Sequence, residues 1–165
     1  MSLHSFSDWL ASTPLSLAIQ NTSWVIPTVQ SVHILAIAAS VSSVLLLDLR
    51  VFGVFARGMP LAAVAQRFVP WVWWSLLVLL VSGTILIIGE PGRSLTNPAF
   101  QAKIVMIIAV IILTLLLARP LRANEAHWEQ SQGRRFAALA IATVSLILWS
   151  LIVFASRWIA YVSSL

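Results

Sequence analysis

The sequence predicts an all-α integral membrane protein, a four-helix bundle with a short N-terminal interfacial helix. The 165 residues are 60% hydrophobic and only 9% charged, and the mean hydropathy is +0.97. Soluble domains carry roughly 25% charged residues, so this composition does not suit a water-facing surface, whereas a lipid-facing surface needs no ionic groups. Several apolar segments also reach the roughly 20 residues that a spanning helix needs. The sequence therefore predicts that this chain lies in a lipid bilayer.

Four spans account for most of the chain and predict a single membrane domain over residues 1–165. Their predicted bounds are about 24–54, 70–89, 99–118 and 136–161. Proline suits the first turn of a helix and also follows helix ends. Pro70 is therefore expected to start the second span after a short surface helix, and Pro120 to close the third.

Residues 5–20, ahead of the first span, are mildly amphipathic and interrupted by Pro14. Ser7 or Asp8 could cap a short helix in the interface, and its lipid-facing residues would be Phe6, Trp9 and Leu10. Residues 1–21 contain no Lys or Arg and no long apolar run, so a cleavable signal peptide is not predicted. The first span would then act as the insertion signal.

The basic residues predict the orientation. The first and third loops are flanked by most of the arginines, namely Arg50, Arg57, Arg67, Arg119, Arg122, Arg134 and Arg135. Basic loops face the cytoplasm, so we expect both termini outside the inner membrane of a bacterium. The net charge of +5 then faces anionic lipid, and no nucleic-acid motif is present.

Three ionisable residues fall inside the spans, where each costs a few kcal/mol unless it has a partner. His33 lies roughly 9 Å inside its span and Lys103 about 7 Å, at 1.5 Å per residue. Arg157 lies about one turn inside the end of the fourth span. The predicted topology brings the three to a similar depth near the outer face.

These residues allow two interpretations. His33 could hydrogen-bond a serine or a carbonyl across the bundle, or its imidazole could ligate haem iron or a metal, or relay protons. Lys103 and Arg157 would suit haem propionates or another anion; otherwise they need Glu90 or must extend to the interface. Met106, one turn after Lys103, could be a second axial ligand or could fill a gap in the core.

Small and hydroxylated residues recur at seven-residue intervals, which keeps them on one face of a helix in a left-handed bundle. The series are Thr143, Ser150 and Arg157; Ser75, Ser82 and Gly89; and Ser40 after His33. They predict close packing between helices. Asp48, at the inner end of the first span, is expected to pair with an arginine from another span or loop, as a latch or a proton entry point.

Several strings together resemble a family of small bacterial four-helix membrane proteins known as a domain of unknown function. They are Trp24…Pro27…His33-Ile-Leu, Asp48-Leu-Arg50…Gly53, Pro70-Trp71, Asn97-Pro-Ala-Phe-Gln-Ala-Lys103 and Arg157-Trp-Ile-Ala-Tyr161. The resemblance spans nearly the whole chain.

More distantly, the layout is similar to the J-type protoporphyrinogen oxidases and to the membrane domain of copper resistance protein D. The J-type oxidases bind haem b and use a His early in one span and a Lys in a later span, and His33 and Lys103 match both in type and order. The resemblance therefore implies haem b. The Asp-Leu-Arg string and the lack of a second spanning His depart from that pattern, and the absence of Cys and of a Met/His ladder argues against copper transport.

Three functions follow as hypotheses. The leading one is a haem-b-binding redox protein, with His33 as axial ligand and Lys103 and Arg157 holding propionates. The second is a non-enzymatic accessory or assembly subunit of a larger membrane complex, and the third is a proton or small-anion pathway in a homo-oligomer. Whether any reaction is catalysed stays open.

Overall fold

The helical fold predicted from composition is confirmed. The computed structural model describes the backbone of residues 3–95 and 97–162 and the side chains of residues 4–92, 95 and 97–156. The described helices are α1 (Leu3–Ala11), α2 (Pro14–Asn21), α3 (Val25–Val51), α4 (Leu61–Gly89), α5 (Pro91–Leu95), α6 (Pro98–Ala123), a 3-10 helix (His127–Glu129) and α7 (Gln132–Val162). Of these, α3, α4, α6 and α7 are long and apolar enough to cross a membrane.

The four spanning helices are longer than a bilayer requires. At 1.5 Å per residue the 27 residues of α3 extend about 40 Å and the 31 residues of α7 about 46 Å. The hydrocarbon core is about 30 Å thick. The helix ends therefore extend into the headgroup region or beyond it.

The helices form two tight antiparallel hairpins. α3 packs most closely against α4, and α6 against α7, while α3–α7 and α4–α6 contacts join the hairpins more loosely. Since successive spans alternate in direction, the α3–α4 and α6–α7 connections share one end of the bundle. We call this the basic end, because it carries Arg50, Arg57, Arg67, Arg119, Arg122, Arg134 and Arg135; the opposite end is the N-terminal end.

Two expected helix boundaries are wrong. Pro70 lies inside α4, which begins at Leu61, so the separate surface helix expected over residues 61–68 is the first part of the second span. Pro120 likewise lies inside α6, which continues to Ala123. Membrane helices tolerate an internal proline because neighbouring groups and small adjustments satisfy the freed carbonyl. The first turns of α4 are also buried at Leu61 and Val64, so packing extends this helix.

The N-terminal segment forms two helices where one was expected. α1 packs on α5, and α2 packs on α4. Pro14 starts α2 after the N-cap Thr13, so the predicted break at this proline is confirmed. Ser7 is buried within α1 and is not a cap of an exposed helix. The Ser16 hydroxyl donates to the Ile88 carbonyl at 2.6 Å and ties α2 to the end of α4.

The end of α4 admits only a glycine without rearrangement. A Cβ added at Gly89 would lie 2.6 Å from Cδ1 of Ile26 and 3.0 Å from Cγ2 of Ile19. α2 and α3 therefore both cross α4 at this point. The close approach explains the role of Gly89 in the predicted small-residue series.

The basic end is closed by specific hydrogen bonds. α3 ends in a Schellman motif, with Val54 donating to the Leu49 carbonyl at 2.9 Å and Gly53 in the left-handed region at φ +71°. Trp128 is buried and donates from Nε1 to the Leu117 carbonyl at 2.9 Å. These bonds fix the two connections against the core.

The apolar core is concentrated in the basic half and the middle of the bundle. One cluster, at the basic end, contains Leu47, Leu61, Leu117, Leu121 and Trp128 among others. A second cluster, in the middle, is formed by Val44, Val72, Val110, Trp149 and Ile152. By contrast, every α6 residue before Val110 is at least partly exposed.

Candidate functional site

His33 is held on α3 by a hydrogen bond to the neighbouring helix. Its Nδ1 lies 2.7 Å from Oγ of Ser82, and that hydroxyl lies 2.6 Å from the Val78 carbonyl oxygen. Because a serine has a single proton, which is donated to Val78, its oxygen accepts from the Nδ1–H of His33. Nε2 then carries a lone pair and is the nitrogen available to a ligand, metal or proton. The contact expected with a serine across the bundle is present.

The ring of His33 lies against the backbone of α4. A Cβ added at Gly83 would be 3.5 Å from Cε1 of His33, which is ordinary van der Waals contact. Gly83 follows the serine that binds Nδ1, so two successive residues of α4 set the position of the imidazole. Ser75, Ser82 and Gly89 are all buried, as their seven-residue spacing predicts.

The charged side chain that acts on His33 is that of Lys103. It is the single lysine of the chain, and it is half-buried on α6. Within the described residues it forms no ion pair or hydrogen bond. A cation in this position, acting on an imidazole and without a counter-ion among the described residues, is suited to an anionic group of a bound molecule.

The two buried apolar clusters lie in the basic half and the middle of the bundle. His33 of α3 and Lys103 of α6 lie beyond them, in the N-terminal half, where the α6 residues before Val110 are all at least partly exposed. A cavity beside Trp149, between α4, α6 and α7, has space for about one water molecule, so it does not accommodate a larger group.

The remaining predicted site residues are less closely tied to His33. Met106 is half-buried and packs against the middle cluster of Val44, Val72, Val110, Trp149 and Ile152. This position is consistent with a core residue, and its role as a second axial ligand stays a prediction. Arg157 belongs to α7, but its side chain lies outside the described residues, and its role too stays a prediction.

The prediction that Thr143 and Ser150 of α7 pack between helices is wrong. Thr143 and Ser150 are exposed, and each hydroxyl donates to a carbonyl of its own helix, at 2.8 Å and 2.9 Å. Among the described residues of α7, the buried positions are Ala138, Ala142, Ser145, Trp149 and Ile152. They alternate at spacings of four and three residues, and that spacing was the available signal.

Asp48 is also placed differently from the expectation. It is buried in α3, and among the described residues it forms no ion pair. Arg50 instead pairs with Glu129 at 3.7 Å and donates to the Met59 carbonyl at 2.8 Å. The acid–arginine latch is therefore formed by Glu129, outside the membrane core.

A metal held by protein side chains alone is not supported. The described residues contain no group of three or more His, Cys, Asp or Glu placed to hold a metal ion. A haem is a different case, because the porphyrin supplies the equatorial nitrogens and the protein supplies only axial ligands. One histidine with its Nδ1 engaged and its Nε2 available fits that smaller requirement.

The fold and the site together define a multi-pass helical-bundle membrane protein with a hydrogen-bonded histidine in the N-terminal half of the bundle. The chain belongs to a family of unknown function, DUF6644, whose model matches residues 6–162. This confirms the family resemblance drawn from the sequence. No curated protein and no solved structure matches the chain, and no similarity to the J-type oxidases or to copper resistance protein D is shown.

Proposed function

We propose that this chain is a haem-b-binding, redox-type membrane protein in which His33 is an axial ligand. The supporting observation is the bond from Nδ1 of His33 to Ser82, 2.7 Å long, which leaves Nε2 as the coordinating nitrogen. Ligating histidines in proteins nearly always donate their other N–H to an acceptor, which fixes the tautomer and the ring orientation. Ser82 serves as that acceptor here.

The surroundings of His33 also suit the porphyrin and the propionates of a haem. In this half of the bundle α6 presents exposed apolar side chains at Ile104, Val105 and Ile108, and the charge of Lys103 acts on His33. A haem propionate would neutralise Lys103, which has no counter-ion among the described residues. When bound, haem b would supply one-electron transfer; the chain's contribution is to hold, orient and screen it.

The test is the haem content of purified variants. We expect His33→Ala to insert normally and to lose haem, because it removes the coordinating nitrogen. His4→Ala is the matched control, since His4 is exposed on α1, and it should keep the wild-type haem content. Haem retained at wild-type stoichiometry in His33→Ala would overturn the ligand assignment.

The role of Lys103 is tested separately. Lys103→Gln should weaken haem retention without abolishing the spectrum, because it removes a charge near a propionate and leaves the axial ligand. Lys103→Arg, which keeps the charge, should behave more like the wild type. Equal loss in both variants would assign Lys103 to packing.

The second candidate function is an accessory or assembly subunit of a larger membrane complex. The observation that favours it is the exposed apolar surface of α6 at Ile104, Val105 and Ile108, since an apolar helix of a partner could pack there. This candidate predicts that a stable partner co-purifies in mild detergent. A monodisperse, haem-containing chain without a partner would exclude it.

We also propose that the basic end faces the bacterial cytoplasm and that both termini lie outside. The chain contains no cysteine, so single-cysteine variants report accessibility directly. Gly58→Cys labels the basic end, where an added Cβ meets nothing within 4 Å, and Ser23→Cys labels the exposed opposite end. A membrane-impermeant thiol reagent should reach Ser23→Cys in intact spheroplasts and Gly58→Cys only in inverted vesicles; the reverse pattern would invert the topology.

A further inference from the structure

The bundle contains buried polar groups for which the described residues offer no hydrogen-bond partner. Four side-chain atoms have no hydrogen-bond partner among the described residues: Oγ of Ser40, Oδ2 of Asp48, Oγ of Ser145 and Nε1 of Trp149. Their residues are between 0% and 6% exposed. Serines in spanning helices commonly donate to a carbonyl of their own helix, as Ser150 does. Ser40 and Ser145 do not.

Such groups are costly and therefore informative. A buried polar group without a partner costs about 1–3 kcal/mol, and an isolated ionised carboxylate costs far more. Native proteins leave few of them, and buried water commonly provides the missing partners. Here the four groups lie on just two helices that pack against each other.

The four groups occupy successive levels along the bundle axis. Asp48 and Ser145 face each other near the basic end, without a hydrogen bond of ordinary geometry between them. Trp149, one turn further along α7, shares a cluster with Val44 of α3. Ser40 lies one turn beyond Val44, so it is about 12 Å from Asp48 along the helix axis. The unpartnered atoms thus extend from the basic end to the middle of the bundle.

Among the residues whose side chains are described, no arginine forms an ion pair with Asp48. The ionisable groups at the basic end are all at least partly exposed, and among the described residues none forms an ion pair with Asp48. They are Arg50, Arg57, Arg67, Arg119, Arg122, Glu125, His127, Glu129, Arg134 and Arg135. The carboxyl of Asp48 must therefore be balanced by a proton or by a small cation.

The chemistry of the neighbours favours a proton. Among the described residues, the polar side chain that acts on Asp48 is that of Ser145, whereas hard cations take about six or more oxygen ligands. Nε1 of Trp149 is a donor and cannot bind a cation. Water, in contrast, can accept from the indole N–H, exchange hydrogen bonds with both hydroxyls and donate to the carboxyl oxygen.

We propose that Asp48 is an exchangeable proton-binding site, joined by buried water to Ser145. Asp48 lies three residues before the end of α3, about 5 Å along the axis, so its proton exchanges with water at the basic end. The carboxylate accepts a proton from a hydronium ion, which leaves as water, and releases it by the reverse step. This site does not depend on haem.

The test is infrared spectroscopy of the cofactor-free full chain reconstituted in lipid vesicles, in H₂O and D₂O. The spectrum of the wild type minus that of Asp48→Asn should contain a protonated-carboxyl C=O band that shifts on transfer to D₂O. Asp8→Asn, which removes an exposed carboxyl on α1, should leave that band in place. A band that never shifts in D₂O, or no Asp48-dependent carboxyl band at any pH at which the chain stays folded, would overturn the proposal.

A second variant tests the water bridge between Asp48 and Ser145, and it keeps the proposal testable if Asp48→Asn does not fold. Ser145→Ala should change the frequency of the Asp48 band and slow its deuteration severalfold. Ser150→Ala, an exposed hydroxyl on the same helix, should do neither. Equal behaviour of the two serine variants would remove Ser145 from the site. Because no haem is present, a D₂O-sensitive band supports this site even if the haem proposal fails.

Discussion

Removing the hydroxyl of Ser82 should destabilise the bundle through His33. Ser82 is 4% exposed, and it is the acceptor for Nδ1 at 2.7 Å. Hydrogen bonds between helices in membranes average about 0.6 kcal/mol and reach about 1.7 kcal/mol, whereas a buried donor left unsatisfied costs about 1–3 kcal/mol. Since His33 is only half-buried, water can partly replace the serine. We therefore expect Ser82→Ala to cost about 1 kcal/mol of unfolding free energy.

The assay is equilibrium unfolding in mixed micelles, followed by circular dichroism. Thr84→Ala is the matched control, because Thr84 is exposed and its hydroxyl donates only to a carbonyl of its own helix, at 2.8 Å; it should change stability by less than about 0.5 kcal/mol. A double-mutant cycle with His33→Ala should give a coupling of about 1 kcal/mol. Equal effects of Ser82→Ala and Thr84→Ala, with no coupling to His33, would refute the reasoning.

Three further changes are checked by the same unfolding assay. Gly89→Ala should cost about 1–3 kcal/mol of unfolding free energy, because the new methyl group would meet side chains of α2 and α3. The control is Gly133→Ala, where an added Cβ meets nothing within 4 Å, and it should change stability by less than about 0.5 kcal/mol. Equal costs of the two substitutions would contradict the close approach at Gly89. Trp128→Phe should cost more than about 1 kcal/mol, since the bond to the Leu117 carbonyl and part of the buried indole are both lost. Glu129→Gln should change stability by less than about 1 kcal/mol, because the Glu129 side chain is exposed and lies 3.7 Å from Arg50. A larger loss would contradict this small contribution.

The existence of the four spans could be predicted because it depends on composition and length, which the sequence states directly. Their boundaries at Pro70 and Pro120 could not, since the rules for proline at helix ends come from water-soluble helices. In α4 the buried positions Leu61 and Val64 continue the helix ahead of the proline. Packing of the first turns against the core thus outweighs the local signal.

The candidate site was predicted in part. His33 and Lys103 stand out because ionisable side chains are rare in spans, and the structure places them in the same half of the bundle. The partner Ser82 is one of many serines, and selecting it requires the relative rotation of α3 and α4. The buried face of α7 was predicted wrongly. Lipid-facing and core-facing positions are both apolar in a spanning helix, so a seven-residue series such as Thr143 and Ser150 does not identify the buried face.

The measurement that tests the central claim most directly is the absorption spectrum of the detergent-purified wild type, oxidised and dithionite-reduced, from cells supplied with a haem precursor. The account predicts a Soret band and reduced b-type bands at a stoichiometry near one haem per chain. A featureless spectrum from well-inserted protein at good yield would contradict it, and His33 and Ser82 would then be a structural pair between α3 and α4.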